Sequence, residues 1–125
     1  MEAIQSLKKE IQYHPNHGQA RLELGDLLFQ TGEFKQALLQ LKAANQENVS
    51  LPDLHYGLAK VHKELGQYKE AIEAIHQCVK LVPEVPIVHQ LLAELYYQMG
   101  KIELGNKEMK MFEQLKKKIT ITYTN

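Results

Sequence analysis

The apolar residues of this chain recur every three or four positions in short stretches that end at a glycine or a proline. This period predicts amphipathic α-helices, and the breaks between the stretches predict turns. One stretch has a face made of Arg21, Leu24, Gly25 and Leu28, and the next has a face made of Phe34, Ala37, Leu41 and Ala44. Gly32 lies between the two stretches, and glycine readily adopts the left-handed conformation that ends a helix. Residues 21–44 therefore predict two helices joined by a short turn.

The same pattern returns twice, at an interval of 34 residues. The segment "TGEFKQAL" at 31–38 is followed by "LGQYKEAI" at 65–72 and by a weaker copy, "MGKIELGN", at 99–106. Three sets of residues keep the interval: Leu24, Leu58 and Leu92; Gly32, Gly66 and Gly100; Ala37, Ala71 and Gly105. The small residues of the third set allow two helices to cross closely. Pro52 can open the first helix of the second unit, and Pro83 and Pro86 separate the second unit from the third.

The spacing also predicts how the chain is divided. Ala3 and Leu7 lie 34 residues before Ala37 and Leu41, so residues 2–13 match the second helix of a unit. We expect half a unit at 2–17, whole units at 18–51, 52–85 and 86–118, and a C-terminal tail at 119–125. The tail, "ITITYTN", is β-branched without a helical period, so the last helix should end near Lys118. Residues 1–118 are then one all-α domain of seven helices, a solenoid of antiparallel pairs that share one core.

The repeat resembles the tetratricopeptide repeat family over about residues 2–115. That family repeats W-x-x-L-G-x-x-Y, then A-x-x-x-F, then P, in units of 34 residues. The matching positions are Leu24, Gly25, Leu28, Ala37 and Leu41, then Leu58, Ala59, Ala71, Ile75 and Pro83, then Leu92, Ala93, Tyr96, Gly105 and Met109. The resemblance implies a right-handed solenoid that acts in protein–protein interaction. No unit has the tryptophan, and Gly105 in place of alanine predicts a looser contact in the third unit.

Composition argues against several other functions. Fifteen basic side chains balance fifteen acidic ones, whereas a nucleic-acid binder usually carries a basic excess on one face. The basic run Lys116–Lys118 is typical of a solvated helix end, and a phosphate or lipid contact is the alternative. Cys78 is the one cysteine, so we expect it to be a small buried hydrophobe. With no P-loop, G-x-S-x-G or H-E-x-x-H sequence, we predict neither an enzyme nor a cofactor.

The six histidines raise the question of a metal site. His14 and His17 flank a proline, but no cysteine or nearby carboxylate completes a ligand set, which favours a polar turn. His55 and His89 stand where the family signature has tryptophan, and His62 stands where it has tyrosine. We therefore expect these three to be partly buried structural residues, and we predict no metal site.

A second face of each first helix lies roughly 110° from the core stripe. Its residues are Leu22, Asp26 and Phe29 in unit one, Tyr56, Lys60 and Lys63 in unit two, and Gln90, Glu94 and Tyr97 in unit three. The resemblance implies that these residues line a concave groove that binds a peptide or helix of a partner protein. An unused, solvated groove is the alternative. The clamp for C-terminal carboxylates found in one form of the family would need Lys and Asn at Leu22 and Asp26, so we reject that ligand.

The sequence favours a non-catalytic protein-interaction module or scaffold. The alternative is a regulatory or scaffolding appendage of a larger, enzyme-containing chain. No segment has the apolar run of a signal peptide or a membrane span, so a cytoplasmic location is the default expectation.

The last helix carries two apolar stripes. We expect Ile102, Met109, Phe112 and Ile119 to pack inward. Leu104, Met111 and Leu115 form a neighbouring stripe, interrupted by Glu108, that no further unit of this chain would cover. A second copy of the chain, the tail or a downstream segment could cover it, and we prefer a homodimer through this helix.

Overall fold

The computed structural model describes residues 2–47 and 51–124, with side chains as far as residue 119. These residues form seven α-helices and no strand, which confirms the all-α prediction. The helices are α1 (Glu2–Tyr13), α2 (Gly18–Gln30), α3 (Phe34–Gln46), α4 (Pro52–Glu64), α5 (Tyr68–Leu81), α6 (Pro86–Gln98) and α7 (Ile102–Thr124).

Glycine turns join the two helices of each pair, as the sequence predicts. Gly32, Gly66 and Gly100 have φ angles of 84°, 75° and 75°, a conformation that side chains with a Cβ rarely adopt. In the first of these turns the backbone N–H of Gly32 donates to the carbonyl of Phe29 at 3.0 Å. The next N–H, of Glu33, donates to the carbonyl of Leu28 at 2.9 Å. These bonds satisfy carbonyls that the end of α2 would otherwise leave without partners.

The helices are arranged in two layers. Helices α2 and α3, α4 and α5, and α6 and α7 pack as antiparallel pairs, and α3 with α4 and α5 with α6 join the pairs. Helix α2 also contacts α4, and α4 contacts α6. By contrast, α3, α5 and α7 make no contact with one another through their described residues. Helices α2, α4 and α6 therefore form the inner layer of a curved array. The surface of this layer that faces solvent, opposite α3, α5 and α7, is called the inner face below.

The core lies between the layers and follows the predicted register. Leu24, Leu41, Leu54, Ile75 and Leu95 are among its fully buried side chains. Gly25 marks the closest approach of α2 to α3, since a Cβ placed there would lie 2.7 Å from Cδ2 of Leu41. Any larger residue at this position would have to displace a leucine that is itself fully buried.

The third pair uses its glycine in a way that the sequence did not indicate. A Cβ on Gly105 would lie 2.5 Å from Cε1 of the Tyr97 ring, so the ring fills the space that an alanine methyl would occupy. The hydroxyl of Tyr97 donates to Oδ1 of Asn106 at 2.7 Å. The expectation of a looser contact at Gly105 is therefore wrong, because an aromatic ring compensates for the missing methyl group.

Helix α7 differs from the prediction in its length. It continues through residues 119–124 to Thr124 instead of ending near Lys118. Isoleucine and threonine lower helix propensity by less than about 0.7 kcal/mol each relative to alanine, so a β-branched run alone does not stop a helix that is already formed.

Helix α7 also differs in the face that it turns inward. Ile102 is 54% exposed and Ile119 is exposed as well, whereas Leu115 is only 9% exposed. The close contact at Gly105 and a hydrogen bond between Glu108 and His89 of α6 fix the rotation of the helix about its axis. That rotation turns Leu115 inward, so Leu115 does not belong to an exposed stripe. Leu104 and Met111 are exposed, as expected.

Ala71 offers a direct test of the register of the second pair. Its side chain is fully buried between α4 and α5. We expect Ala71→Leu to lower the free energy of unfolding by about 1–3 kcal/mol, because the added carbons have no space to enter. Thermal melting followed by circular dichroism measures the loss, with the exposed Glu73→Leu as the control on the same helix. A melting temperature equal to that of the parent would show that the register is wrong.

Candidate interaction surface

The inner face brings together eight of the nine residues expected to line a groove. Leu22 is the exception, because it is 3% exposed. It belongs to the core cluster that also contains Ile4 of α1 and Leu54 of α4, and these neighbouring helices leave it no free surface. The assignment of Leu22 to a partner-binding surface is therefore wrong. The other eight side chains are at least partly exposed.

Lys60 connects α2 and α4 across this face. Its Nζ lies 4.8 Å from the centroid of the Phe29 ring and 5.1 Å from the centroid of the Tyr56 ring. Phe29 in turn contacts the ring of Phe34, with centroids 5.3 Å apart. An ammonium group held over two aromatic rings is attracted by their π-electrons, and this attraction keeps the cation on the surface of the face.

The start of this face is acidic. Burial of the half-buried Asp26 raises the pKa of its carboxyl group, and the positive charge of Lys60 acts in the opposite direction. Asp53 and Glu23 raise the pKa of Asp26 further, because their carboxylates lie close enough to repel a negative charge there. The charges of Lys60 and Asp53 on α4 and of Glu23 on α2 therefore all act on Asp26.

An ion pair links the middle of the face to its far end. Nζ of Lys63 on α4 lies 2.8 Å from Oε2 of Glu94 on α6. Both side chains remain partly open to water, so the pair contributes about 0–1 kcal/mol to stability. Gln90 is also partly exposed, and Tyr97 is exposed at one edge of the ring that covers Gly105. The face thus combines aromatic rings, paired charges and amide groups.

An apolar hollow, which the sequence interpretation missed, opens beside Tyr56. It has a volume of about 450 Å³ and lies where the start of α4, the end of α5 and the start of α6 meet. Exposed Leu51, Val85 and Ile87 line it together with Tyr56. The signal in the sequence was the apolar residue before each helix-opening proline, Leu51 before Pro52 and Val85 before Pro86.

The buried histidines have structural partners. His62 Nδ1 lies 2.7 Å from Oε1 of Gln67. His89 is held on both sides: Nε2 lies 2.7 Å from the carbonyl oxygen of Pro83, and Nδ1 lies 2.7 Å from Oε2 of Glu108. Burial alone lowers the pKa of His55. These contacts agree with a structural role.

The turn between α1 and α2 is polar, as expected, but a carboxylate does lie beside it. His17 Nδ1 lies 3.1 Å from Oε1 of Glu10, because α1 places Glu10 next to the turn, and Arg21 donates to the carbonyl of Pro15 through two guanidinium nitrogens. In the part of the chain with described side chains, no three His, Cys, Asp or Glu residues are placed to hold a metal ion.

Two further features noted in the sequence have clear surroundings. Cys78 is buried, its Sγ lies 3.5 Å from the carbonyl oxygen of Pro52, and burial is the main cause that raises the pKa of its thiol. In the basic run, Lys116 Nζ lies 5.4 Å from the ring centroid of Phe112, and Lys118 Nζ lies 3.5 Å from Oε1 of Glu84. No described helix combines the length and apolar character needed to cross a bilayer.

Solved structures of MamA share this fold. A crystal structure of MamA has a TM-score of 0.87 and 26% identity, and the match covers 94% of this chain and 68% of that one. MamA from residue 41 to its end, from Desulfovibrio magneticus RS-1, has a TM-score of 0.87 and 23% identity over 92% and 65% of the two chains. MamA MSR-1 has a TM-score of 0.84 and 23% identity, and the match covers 92% of this chain and 66% of that one. The present chain thus spans about two thirds of the length of these MamA chains.

Family models give the evolutionary grouping. The model described as anaphase-promoting complex, cyclosome, subunit 3 matches residues 2–78, which is more than half of the chain. The model described as tetratricopeptide repeat matches residues 56–104. Among curated proteins, none has a significantly similar sequence. The two models show that the chain belongs to the tetratricopeptide repeat family, within the group that the subunit 3 model describes.

Proposed function

We propose that this protein is a non-catalytic interaction module that binds a peptide or helix of a partner protein on its inner face. The tetratricopeptide repeats and the MamA-like fold support a protein-interaction scaffold. The observation that supports binding of a peptide or helix at the inner face is the composition of that face. Aromatic rings, held cations and carboxylates from α2, α4 and α6 lie together there and remain open to solvent.

The mechanism is presentation by a rigid surface. The core of each helix pair is closely packed, so the helices offer their side chains in a fixed arrangement and little entropy is lost when a partner binds. Partly exposed rings such as Phe29 and Tyr56 supply apolar contact area, and the charges around them select the orientation of the partner. An extended or helical segment fits a surface that runs across three neighbouring helices.

A charge swap tests the inner face without removing a packing residue. Tyr56 and Tyr97 also pack against the core and against Gly105, so alanine at either position would change stability as well as binding. The double variant Lys63→Glu/Glu94→Lys keeps the ion pair and reverses its polarity. For a peptide selected on the wild-type protein from a random phage-displayed library, we expect the swap to raise Kd by about tenfold, because the charges that orient the peptide are exchanged.

The matched control is Lys69→Glu/Glu73→Lys, which exchanges two exposed charges one turn apart on α5, away from the inner face. It should leave Kd unchanged within about twofold, as measured by fluorescence anisotropy at fixed ionic strength. Equal affinities of the selected peptide for the wild type and the inner-face swap would place binding on another surface.

Self-association through α7 is a separate prediction, now limited to Leu104 and Met111. Both side chains are exposed on α7, seven residues and thus about two turns apart. If a second copy covers these side chains, sedimentation velocity should show dimers at high micromolar concentration. The variant Leu104→Glu/Met111→Glu should then sediment as a monomer, because it would bury carboxylates without partners. A wild type that stays monomeric in the same range would exclude this dimer.

A further inference from the structure

The apolar hollow beside Tyr56 is continuous with the inner face. Its floor includes the buried Cys78 and Val88, and exposed Leu51, Val85 and Ile87 form its rim. Tyr56 forms a wall of the hollow and also carries the ammonium group of Lys60 on its ring. A segment that contacts Tyr56 on the inner face would therefore lie beside an apolar opening of about 450 Å³.

One charged residue lies at the edge of this opening. Asp53, in the first turn of α4, is the only ionisable carboxyl or basic side chain among the described residues that line the hollow. Asp53 is exposed, and its charge reaches both Asp26 on the inner face and the Cys78 thiol in the hollow, since it raises the pKa of each. Asp53 therefore lies at the edge of the apolar opening, and its charge acts on Asp26 at the acidic start of the inner face.

Carboxylates outnumber cations among the groups that act on Asp26. The charges of Asp53 and Glu23 add to that of Asp26 itself, and Lys60 is the cation that acts on it. Lys63, the next cation along the face, is already paired with Glu94. An acidic segment would be repelled here, whereas a basic side chain would find carboxylates without a full complement of cations. A partner segment that fits here must therefore carry an apolar side chain and a positively charged side chain close together.

We propose that the hollow takes an apolar side chain of the bound partner segment, and that a neighbouring lysine or arginine of the same segment pairs with Asp53 and Asp26. This inference rests on the proposed function of the inner face and adds the chemistry of the partner. Desolvation of the apolar side chain supplies most of the affinity, because the rim residues lose exposed surface at the same time. The basic neighbour sets the direction of the chain and rejects acidic sequences.

The test uses random 12-residue peptides displayed on phage and selected on the immobilised chain of residues 1–125. Enriched sequences should contain an apolar residue with Lys or Arg within two positions, well above the frequency in the unselected library. A synthetic peptide of this type should bind Asp53→Lys at least about tenfold more weakly than the wild type. The control Glu70→Lys places the same reversal in the first turn of α5, away from the hollow, and should change Kd by less than about twofold.

The apolar half of the proposal has its own pair of variants. Ile87→Ser removes a rim residue that is 48% exposed in the first turn of α6, and we expect at least about tenfold weaker binding. Ile102→Ser removes a 54% exposed isoleucine at the start of α7 and should have no effect on Kd. A reciprocal change guards against misfolding: a peptide with Lys replaced by Glu should bind the wild type poorly and Asp53→Lys well.

Each contrary outcome has a distinct meaning. Selected peptides that bind but lack the apolar–basic pair, or that bind Asp53→Lys and Ile87→Ser normally, overturn this inference and leave the proposed function intact. A selection without any enrichment overturns both. Dimers of the wild type that dissociate in Ile87→Ser, with no peptide selected, would show that the occupant is a second copy of the chain.

Discussion

Leu41→Ala should lower the free energy of unfolding by about 2–5 kcal/mol, the largest effect expected from a single substitution in this protein. Leu41 on α3 is fully buried and reaches two inner helices at once. Its Cδ2 would meet a Cβ on Gly25 of α2 at 2.7 Å, and its Cδ1 would meet a Cβ on Gly57 of α4 at 3.5 Å. Removing the side chain therefore opens a cavity at the junction of the first two helix pairs.

Urea unfolding followed by circular dichroism at 222 nm measures this loss, with the exposed Leu39→Ala on the same helix as the control. The control should stay within about 0.5 kcal/mol of the wild type. A second variant tests the cause. Gly25→Ala should destabilise the wild type by its clash with Leu41, but should stabilise Leu41→Ala by about 0.5–1 kcal/mol, since alanine has the higher helix propensity. Additive effects would show that the two residues do not meet.

His89→Leu should cost about 1–3 kcal/mol, because it removes two partly buried hydrogen bonds at once. The carbonyl of Pro83 can only accept, so Nε2 of His89 must donate to it. The short contact with Glu108 then needs a second proton, either on Nδ1 or on the carboxyl group. Leucine leaves both the carbonyl and the carboxyl group without this partner, and the contact between α6 and α7 weakens.

Glu108→Gln separates the hydrogen bond from the charge. The amide N–H of glutamine can donate to Nδ1 of His89 while Nε2 still donates to Pro83, so both bonds survive without an ion pair. We expect its unfolding free energy to lie much closer to the wild type than that of His89→Leu, under the same urea titration. If His89→Leu is as stable as the parent, the hydrogen bonds of His89 with Pro83 and Glu108 do not contribute to the free energy of unfolding.

The helix pairs could be predicted from sequence because their signals are local. Glycine turns and the 34-residue register of apolar residues do not depend on distant parts of the chain. The rotation of α7 could not be predicted this way, since it depends on the ring of Tyr97 over Gly105 and on the bond from Glu108 to His89. Periodicity allows two neighbouring stripes on one helix, and only these tertiary contacts select between them.

The interaction surface shows the same division. Helical spacing placed Tyr56, Lys60 and Glu94 on one face because α2, α4 and α6 repeat the same orientation. It also placed Leu22 there, since spacing along α2 contains no information about α1, the neighbouring helix. The hollow was missed for a related reason: its lining comes from the ends of three helices, and residues such as Val85 and Ile87 have no common period with Tyr56.

The two-layer arrangement has a mechanical consequence. The inner helices contact one another, whereas the described residues of α3, α5 and α7 do not bring the backbones of these outer helices close together. Compression of the inner layer is therefore resisted by packed side chains, while the outer layer can spread with little opposition. Lys60 and the Lys63–Glu94 pair span the two inner seams, where they resist separation of the helices in tension. We expect these contacts between inner helices to set the angle between neighbouring helix pairs. Small rotations of successive pairs then add up to a change in the width of the inner face that a partner meets.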